Sequence, residues 1–449
     1  MSIFVGTDVC FGTCQPPSIL QNFSNMMKPM RVILANARRQ VSRILVPLLQ
    51  HLPSPNPVPR QQLVDEEIYE NEDYHPVSLG DTFDSGRYTV LRKLGYGRYS
   101  TVWLANDLKF QRCVALKLLR VECYTSTQQI FEREILEKIQ EVSRESLHEG
   151  RKHVLPLIEH FTHRGPNGQH ICLTFDVQGH HLYFQAAQYK DRKLPVKTVK
   201  EIVRQLLTGL DFLHRECGVI HTDLKGQNIL LELETPSETV SKHLESVPPQ
   251  TTRVQSGAIV PLREIIKTPL VSEVASLRVR IIDFGVASWR ENHLFEEIQP
   301  LALRAPEVAI GAPWDTGVDI WTLGCLIVEL LHNFLLFPGS ASKKGTWTAE
   351  EDHLARIIQV LGTFPPSLLK KGRLSKSYFD GQMKLIRGPS LERSSLECML
   401  NGVVKPYKRP SDMSKKEFDV FIDFLKGMLE IDPMKRKSAA QLLQHEWLS

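Results

Sequence analysis

The sequence predicts an α+β protein of two lobes, a small β-rich lobe followed by a larger helical one. Three observations carry this. Between Tyr88 and Asp176, short β-branched and aromatic runs alternate with polar residues, the period of half-buried strands. From Val196 onward, apolar residues recur at helical spacing. With 449 residues, 42% of them hydrophobic and 24% charged, the chain can bury a large core.

Residues 1–60 read as a separate leader. They carry six Lys or Arg against one acid, Asp8, while the rest of the chain is close to neutral. Ile33, Leu34, Ala37, Val41, Ile44 and Leu45 fall in one helical arc, with Arg38, Arg39 and Arg43 outside it. Pro47 ends that helix, and the four prolines of HLPSPNPVPR (51–60) make a stiff linker. Such a leader suits a transit peptide, a membrane-surface helix or a partner-bound tail. Residues 61–87 form an acidic lead-in, with six acids in DEEIYENED (65–73). The eight Cys are scattered, which suits free thiols in a reducing compartment. No apolar run has the length of a membrane span, and the charge balance of the folded part gives no reason to expect direct nucleic-acid binding.

The N-lobe is expected over 88–176. Strands are expected at Tyr88–Leu94, Ser100–Ala105, Val114–Leu119, Val154–Phe161 and His170–Asp176, with one helix at Gln128–Val142. The C-lobe is expected over 180–448. Its helices are Val199–His214, Val318–Leu331, Ala349–Leu361, Lys416–Leu429 and Ala439–His445. The weakly periodic run 231–277 reads as an inserted loop.

Six features could do chemistry, and each alone has a plain structural reading. GYGRYSTV (95–102) is a Gly-rich turn between strands, able to bring backbone N–H groups to phosphate oxygens. Lys117 lies in the apolar strand VALKLL and needs an acid or anion if buried, and Glu134 on the next helix is the expected partner. In HTDLKGQN (221–228), Asp223 can take a proton from a hydroxyl, Lys225 can neutralise a transferring group, and Asn228 offers an oxygen for Mg²⁺. Asp283 ends an apolar strand before Phe284 and Gly285, as a metal carboxylate or as a simple turn residue. Glu307 and Arg436 suit a buried structural pair.

The order and spacing of these features form the protein-kinase signature set. Over roughly residues 65–449 the chain resembles the SR-protein kinases, especially the compact fungal members. The resemblance lies in EEIYENEDYHPVSLGD (66–81), GYGRYSTVWLAND (95–107), HICLTFDVQGHHL (170–182), HTDLKGQNILL (221–231), IQPLALRAPEVAIGAPWDTGVDIWTLGC (298–325) and AEEDHLARIIQVLGTFP (349–365). It implies a bilobal protein-kinase fold over 88–448 and a serine/threonine kinase that uses ATP and Mg²⁺. It also implies a monomer acting on Arg/Ser-rich proteins of mRNA splicing, in cytoplasm and nucleus; a transit-peptide leader would instead direct it to the mitochondrion.

The resemblance assigns ATP to Leu94, Gly95, Tyr96, Gly97, Arg98, Tyr99, Ser100, Thr101, Val102, Ala115, Lys117, Phe175, Asp176 and Val177. Asp223 becomes the catalytic base, Lys225 the partner of the γ-phosphate, Lys117 with Glu134 the α/β-phosphate contact, and Asn228 with Asp283 the metal ligands. Asp319 braces the catalytic loop from below. Asp352 fits one acidic position of a substrate-docking groove, while Gln359 stands where a second acid is expected. Thr222 replaces the Arg that reads activation-segment phosphate, and Ser288 is the only Ser or Thr in 283–307, so the resemblance points to activity without that phosphorylation. Gly226 replaces a Pro and is expected to loosen the loop. The alternatives are a kinase for another basic substrate and a catalytically silent kinase-like scaffold.

Overall fold

The computed structural model describes residues 74–124, 130–253, 259–271, 276–402 and 407–449. The leader with Cys10 and Cys14, its expected helix and the acidic run 65–73 lie outside these residues.

Six strands form one antiparallel sheet: β1 (Thr82–Phe83), β2 (Tyr88–Tyr96), β3 (Ser100–Asp107), β4 (Arg112–Leu119), β5 (Glu159–Gly165) and β6 (Gly168–Asp176), in the order β1-β2-β3-β4-β6-β5. Their alternation buries Val90, Trp103, Ala105, Val114, Leu116, Leu118 and Cys172 as one cluster with Phe83 and Tyr88. Register shifts between Val90 and Arg92 and between Lys93 and Gly95 kink β2 just before the Gly-rich turn. Helix α1 (Glu132–Glu145) sets Ile135, Leu136 and Ile139 among the buried residues of the main core, with Leu119, Ile171 and Leu173.

In the C-lobe, α2 (Val196–Asp211) buries Val199, Ile202, Val203, Leu206, Leu207 and Leu210. It runs into a π-helical turn, Phe212–Cys217, which Gly218 ends at φ 65°. That stop delivers the chain into β7 (Val219–Ile220) and the loop after it. The short strands β8 (Ile229–Leu231), β11 (Val279–Ile281) and β12 (Ser288–Trp289) frame this region, β8 with β11 and β7 with β12. Helix α4 (Gly317–His332) is buried almost all round, as an apolar helix through the lobe centre must be. Helix α5 (Ala349–Leu361) starts on a capping box of Thr348 and Glu351, and α6 (Lys415–Met428) closes the lobe with Phe418, Phe421 and Leu425 inward.

The run 231–277 is not a plain loop. It holds helix α3 (Pro236–Ser246) and the hairpin of β9 (Thr251–Arg253) and β10 (Ile259–Pro261). Only Val240 of α3 is buried, so no apolar stripe marked it in the sequence; Pro236 at its first turn is its clearest signal. Val240 and Ile266 pack with Leu104, Val177 and Leu233. The Glu264 N–H donates to the Lys93 carbonyl at 2.8 Å and Arg263 Nε to the Leu94 carbonyl at 3.2 Å, so the insert grips the strand entering the Gly-rich turn. Among the described residues, six cysteines are free and no helix is long and apolar enough to cross a membrane.

Candidate active site

Leu94, Gly95 and Tyr96 end β2, Gly97, Arg98 and Tyr99 make the turn, and Ser100, Thr101 and Val102 open β3. The Gly97 N–H donates to the Ser100 carbonyl at 2.8 Å. The Tyr74 hydroxyl donates to the Gly97 carbonyl at 2.8 Å, and Arg120 Nη1 donates to the Arg98 carbonyl at 2.9 Å, while its guanidinium lies 4.7 Å from the Tyr74 ring centroid. A Cβ at Gly97 would meet nothing within 4 Å, so no neighbouring side chain packs where its own would lie. A glycine at a strand turn lets backbone approach phosphate oxygens. Ala115 faces Phe175 across β4 and β6, with Asp176 exposed and Val177 buried where the chain passes between the lobes.

Lys117 Nζ lies 2.5 Å from Glu132 Oε1 and 2.9 Å from Asp283 Oδ1. The partner expected from the sequence, Glu134, is therefore corrected to Glu132. The helix starts at Glu132, which shares a face with Leu136 and Ile139 four and seven positions on. Glu134 lies about 200° around the helix from Glu132; its side chain is 32% exposed and pairs with Arg133 at 2.5 Å. Counting back from Leu136 and Ile139 would have selected Glu132.

Burial works against the Lys117 ammonium, but Asp283 and Glu132 outweigh it and hold the group well above its usual range. Burial pushes the Glu132 carboxyl up, with Lys117 only partly offsetting it. Burial also pushes Asp283 up, but Lys117, with smaller help from Lys225 and His221, brings it down to about 2. Asp283 keeps 44% of its side chain exposed and sits at φ 68°, a conformation that costs energy outside glycine.

In the loop after β7, Lys225 Nζ donates to Asp223 Oδ2 at 2.7 Å. Asn228 Nδ2 donates to the Asp223 carbonyl at 2.9 Å and to Asp223 Oδ2 at 3.1 Å. The Asn228 amide nitrogen is thus committed, and among the described residues its oxygen accepts no hydrogen bond. Asn228 and Asp283 offer two hard oxygens, too few to cage a cation alone. This fits Mg²⁺, which keeps waters and takes phosphate oxygens.

A base beside a cationic Lys, two oxygen donors, a paired strand Lys and an open Gly-rich turn are the parts of a phosphoryl-transfer site. Residues 88–448 match the family described as protein kinase domain. Protein kinase dsk1 of Schizosaccharomyces pombe is 32% identical, covering 85% of this chain and 84% of its own. Serine/threonine-protein kinase SRPK of Physarum polycephalum is 34% identical, covering 85% of this chain and 90% of its own. SRSF protein kinase 3 of Mus musculus is 28% identical, covering 88% and 93%. The chain belongs to the SR-protein kinase family.

The frame of the kinase site is built from buried groups. Asp319 is fully buried; its Oδ2 accepts the His221 N–H at 2.8 Å and lies 2.8 Å from His214 Nε2, and its Oδ1 accepts the Thr222 N–H at 2.9 Å. Burial pushes this carboxyl up, but His214 and then His221 bring it below its ordinary range. Glu307 takes Arg436 in a fork, at 2.7 and 2.9 Å, and Arg436 also donates to the carbonyls of Gly317 and Glu430.

Three further residues support the site. Tyr74 ties the Gly-rich turn, as above. Gln299, at φ 64°, donates to the Val318 carbonyl and Thr322 Oγ1 and accepts the Ala305 N–H at 2.9 Å, so it holds the end of the activation segment. Tyr183 fills the space beside Gly226, where a Cβ would lie 2.5 Å from two of its ring carbons. The tyrosine ring occupies the volume that the absent side chain leaves, so glycine is the residue that fits at 226.

Asp352 does not stand open as a docking acid. It is 2% exposed, and its Oδ2 accepts both the Ser340 N–H at 2.7 Å and Arg356 Nε at 2.8 Å. Gln359 donates to the Glu392 carbonyl at 2.9 Å.

Proposed function

We propose that this kinase transfers the γ-phosphate of ATP to serines of Arg/Ser-rich proteins of mRNA processing, and that it does so without phosphorylation of its activation segment. The observation that carries the reading is Lys117 held between Glu132 and Asp283, the assembled arrangement that phosphoryl transfer requires. Asp223 orients the serine hydroxyl and takes its proton as Oγ bonds the γ-phosphorus and the bond to the bridging oxygen breaks, leaving ADP. Lys225, already beside Asp223, lies where charge gathers on the transferred group. Lys117 holds the α- and β-phosphates. Asn228 and Asp283 would hold Mg²⁺, which neutralises phosphate charge when bound.

Two observations support the finer points. Glu291, Glu296 and Glu297 are exposed on the activation segment and suit basic residues around the target serine. Ser288 is fully buried in β12, and its Oγ accepts the Leu294 N–H at 2.9 Å. Arg290 forks onto Asp315 with contacts of 2.9 and 3.0 Å, and His293 stacks on Trp314 at 3.6 Å, so the segment is anchored by its own side chains.

The test compares wild type with Asp223→Ala on an Arg/Ser peptide and on its Ala-for-Ser control. Loss of a positioned base costs about 10²–10⁴-fold in rate. Equal incorporation by both proteins would remove the kinase reading. We also place the protein in cytoplasm and nucleus; a tagged full chain found in mitochondria would instead make residues 1–60 a transit peptide.

A further inference from the structure

Two successive carbonyls at the tip of the Gly-rich turn are held from one side. The Tyr74 hydroxyl donates to the Gly97 carbonyl at 2.8 Å and to the Arg98 carbonyl at 3.0 Å. Arg120 Nη1 also donates to the Arg98 carbonyl, at 2.9 Å. The backbone N–H of Arg120 donates to the Tyr99 carbonyl at 2.9 Å, which keeps Arg120 beside the turn. In a trans peptide the carbonyl and the N–H that follows it point opposite ways. Holding the Gly97 and Arg98 carbonyls therefore turns the N–H groups of Arg98 and Tyr99 away from Tyr74, to the other side of the turn.

Tyr74 is itself fixed from outside the turn. Its carbonyl accepts Asn167 Nδ2 at 2.8 Å, from the hairpin between β5 and β6, and Asn167 Oδ1 lies 2.9 Å from Nε2 of the buried His170. The next residue, His75, packs into that hairpin, where a Cβ at Gly165 would come 2.3 Å from His75 Nδ1. The His75 ring also lies 5.5 Å from that of the buried Phe83. Burial raises the Tyr74 phenol above its usual range, with Arg120 partly offsetting it, so the hydroxyl stays a donor at neutral pH. The far hairpin of the sheet thus sets where one hydroxyl sits, and that hydroxyl sets two peptide planes of the turn.

We propose that Tyr74 is a positioning residue for ATP, aiming the backbone N–H groups of Arg98 and Tyr99 at the phosphates. The proposal rests on the kinase reading, but its test reads binding alone. Adenosine, ADP and ATP, each with Mg²⁺, are titrated by calorimetry into the full chain as wild type, Tyr74→Phe and Asn167→Ala. Tyr74→Phe keeps the ring and removes only the donor. It should bind ADP and ATP about fivefold more weakly, the scale of one neutral hydrogen bond. Adenosine, which has no phosphate, should bind as it does to wild type. Asn167→Ala should weaken ADP in the same direction, again sparing adenosine, and should add less in the Tyr74→Phe background than alone. A tyrosine that merely stabilises the fold would lower the melting temperature and weaken adenosine and ADP alike. That result, or ADP binding unchanged in Tyr74→Phe, would overturn the proposal. None of these outcomes depends on turnover, so they stay distinct from failure of the Asp223→Ala comparison.

Discussion

The Thr222 hydroxyl donates to the Val286 carbonyl at 2.6 Å, joining the catalytic loop to the activation segment without a phosphate. Thr222 is fully buried at φ 65°, with its N–H on Asp319. Thr222→Val keeps the shape and removes the donor. Leaving the Val286 carbonyl unpaired should cost about 1–3 kcal/mol, read by urea unfolding, and should lower kcat. Thr222→Arg forces a guanidinium into a site with no room for it, so loss of folded protein is expected rather than a new dependence on phosphorylation.

The Lys117 partner separates two neighbouring acids. Glu132→Gln should lower kcat/KM by about 10²-fold, close to 2.7 kcal/mol of transition-state stabilisation. Glu134→Gln should change it by less than about twofold, because an exposed pair contributes little. Steady-state kinetics on one peptide measures both; a larger loss in Glu134→Gln would restore the sequence-based assignment.

That pair also shows what was legible in advance. Four of the five expected strands, the long helices and the order of the chemical residues follow from local periodicity and spacing; the strand expected at Val154–Phe161 lies instead at Glu159–Gly165. Lys117, Asp223, Asn228 and Asp283 converge as their motifs imply. The choice between Glu132 and Glu134 turns on which acid shares the face of Leu136 and Ile139, a count around the helix that the order of the motifs alone does not supply. Helix α3 escaped because it buries a single side chain. The partner of Glu351 escaped because Arg387 reaches it through a tertiary contact, whereas Asp352 with Arg356 is an i,i+4 pair on one helix.

Gly226 and Tyr183 should behave as one unit. Gly226→Ala pushes a methyl into the tyrosine ring and should cost about 1–3 kcal/mol. Tyr183→Leu with Gly226→Ala should cost less than the sum of the two single changes, and the double-mutant cycle measures the coupling. Additive losses would mean that the ring does not support the loop.

Tyr183 also donates to Glu329 Oε2 at 2.5 Å. Burial pushes the Glu329 carboxyl up to about 7, and the tyrosine bond only partly offsets it. A raised folded-state pKa means stability that is full below about 4.5, the unfolded value, and lost as pH rises through about 7. Between pH 5 and 8, wild type should lose up to about 3 kcal/mol relative to Glu329→Gln. Parallel melting-temperature profiles for the two proteins would show that Glu329 does not titrate in this window.

The central claim is that the site is assembled as folded. Its most direct test is the initial rate of Arg/Ser-peptide phosphorylation by protein treated to completion with phosphatase, beside untreated protein and Asp223→Ala. The account predicts equal rates for the treated and untreated protein and a loss of about 10²-fold or more in Asp223→Ala. An inactive phosphatase-treated sample that regains activity on rephosphorylation would contradict it.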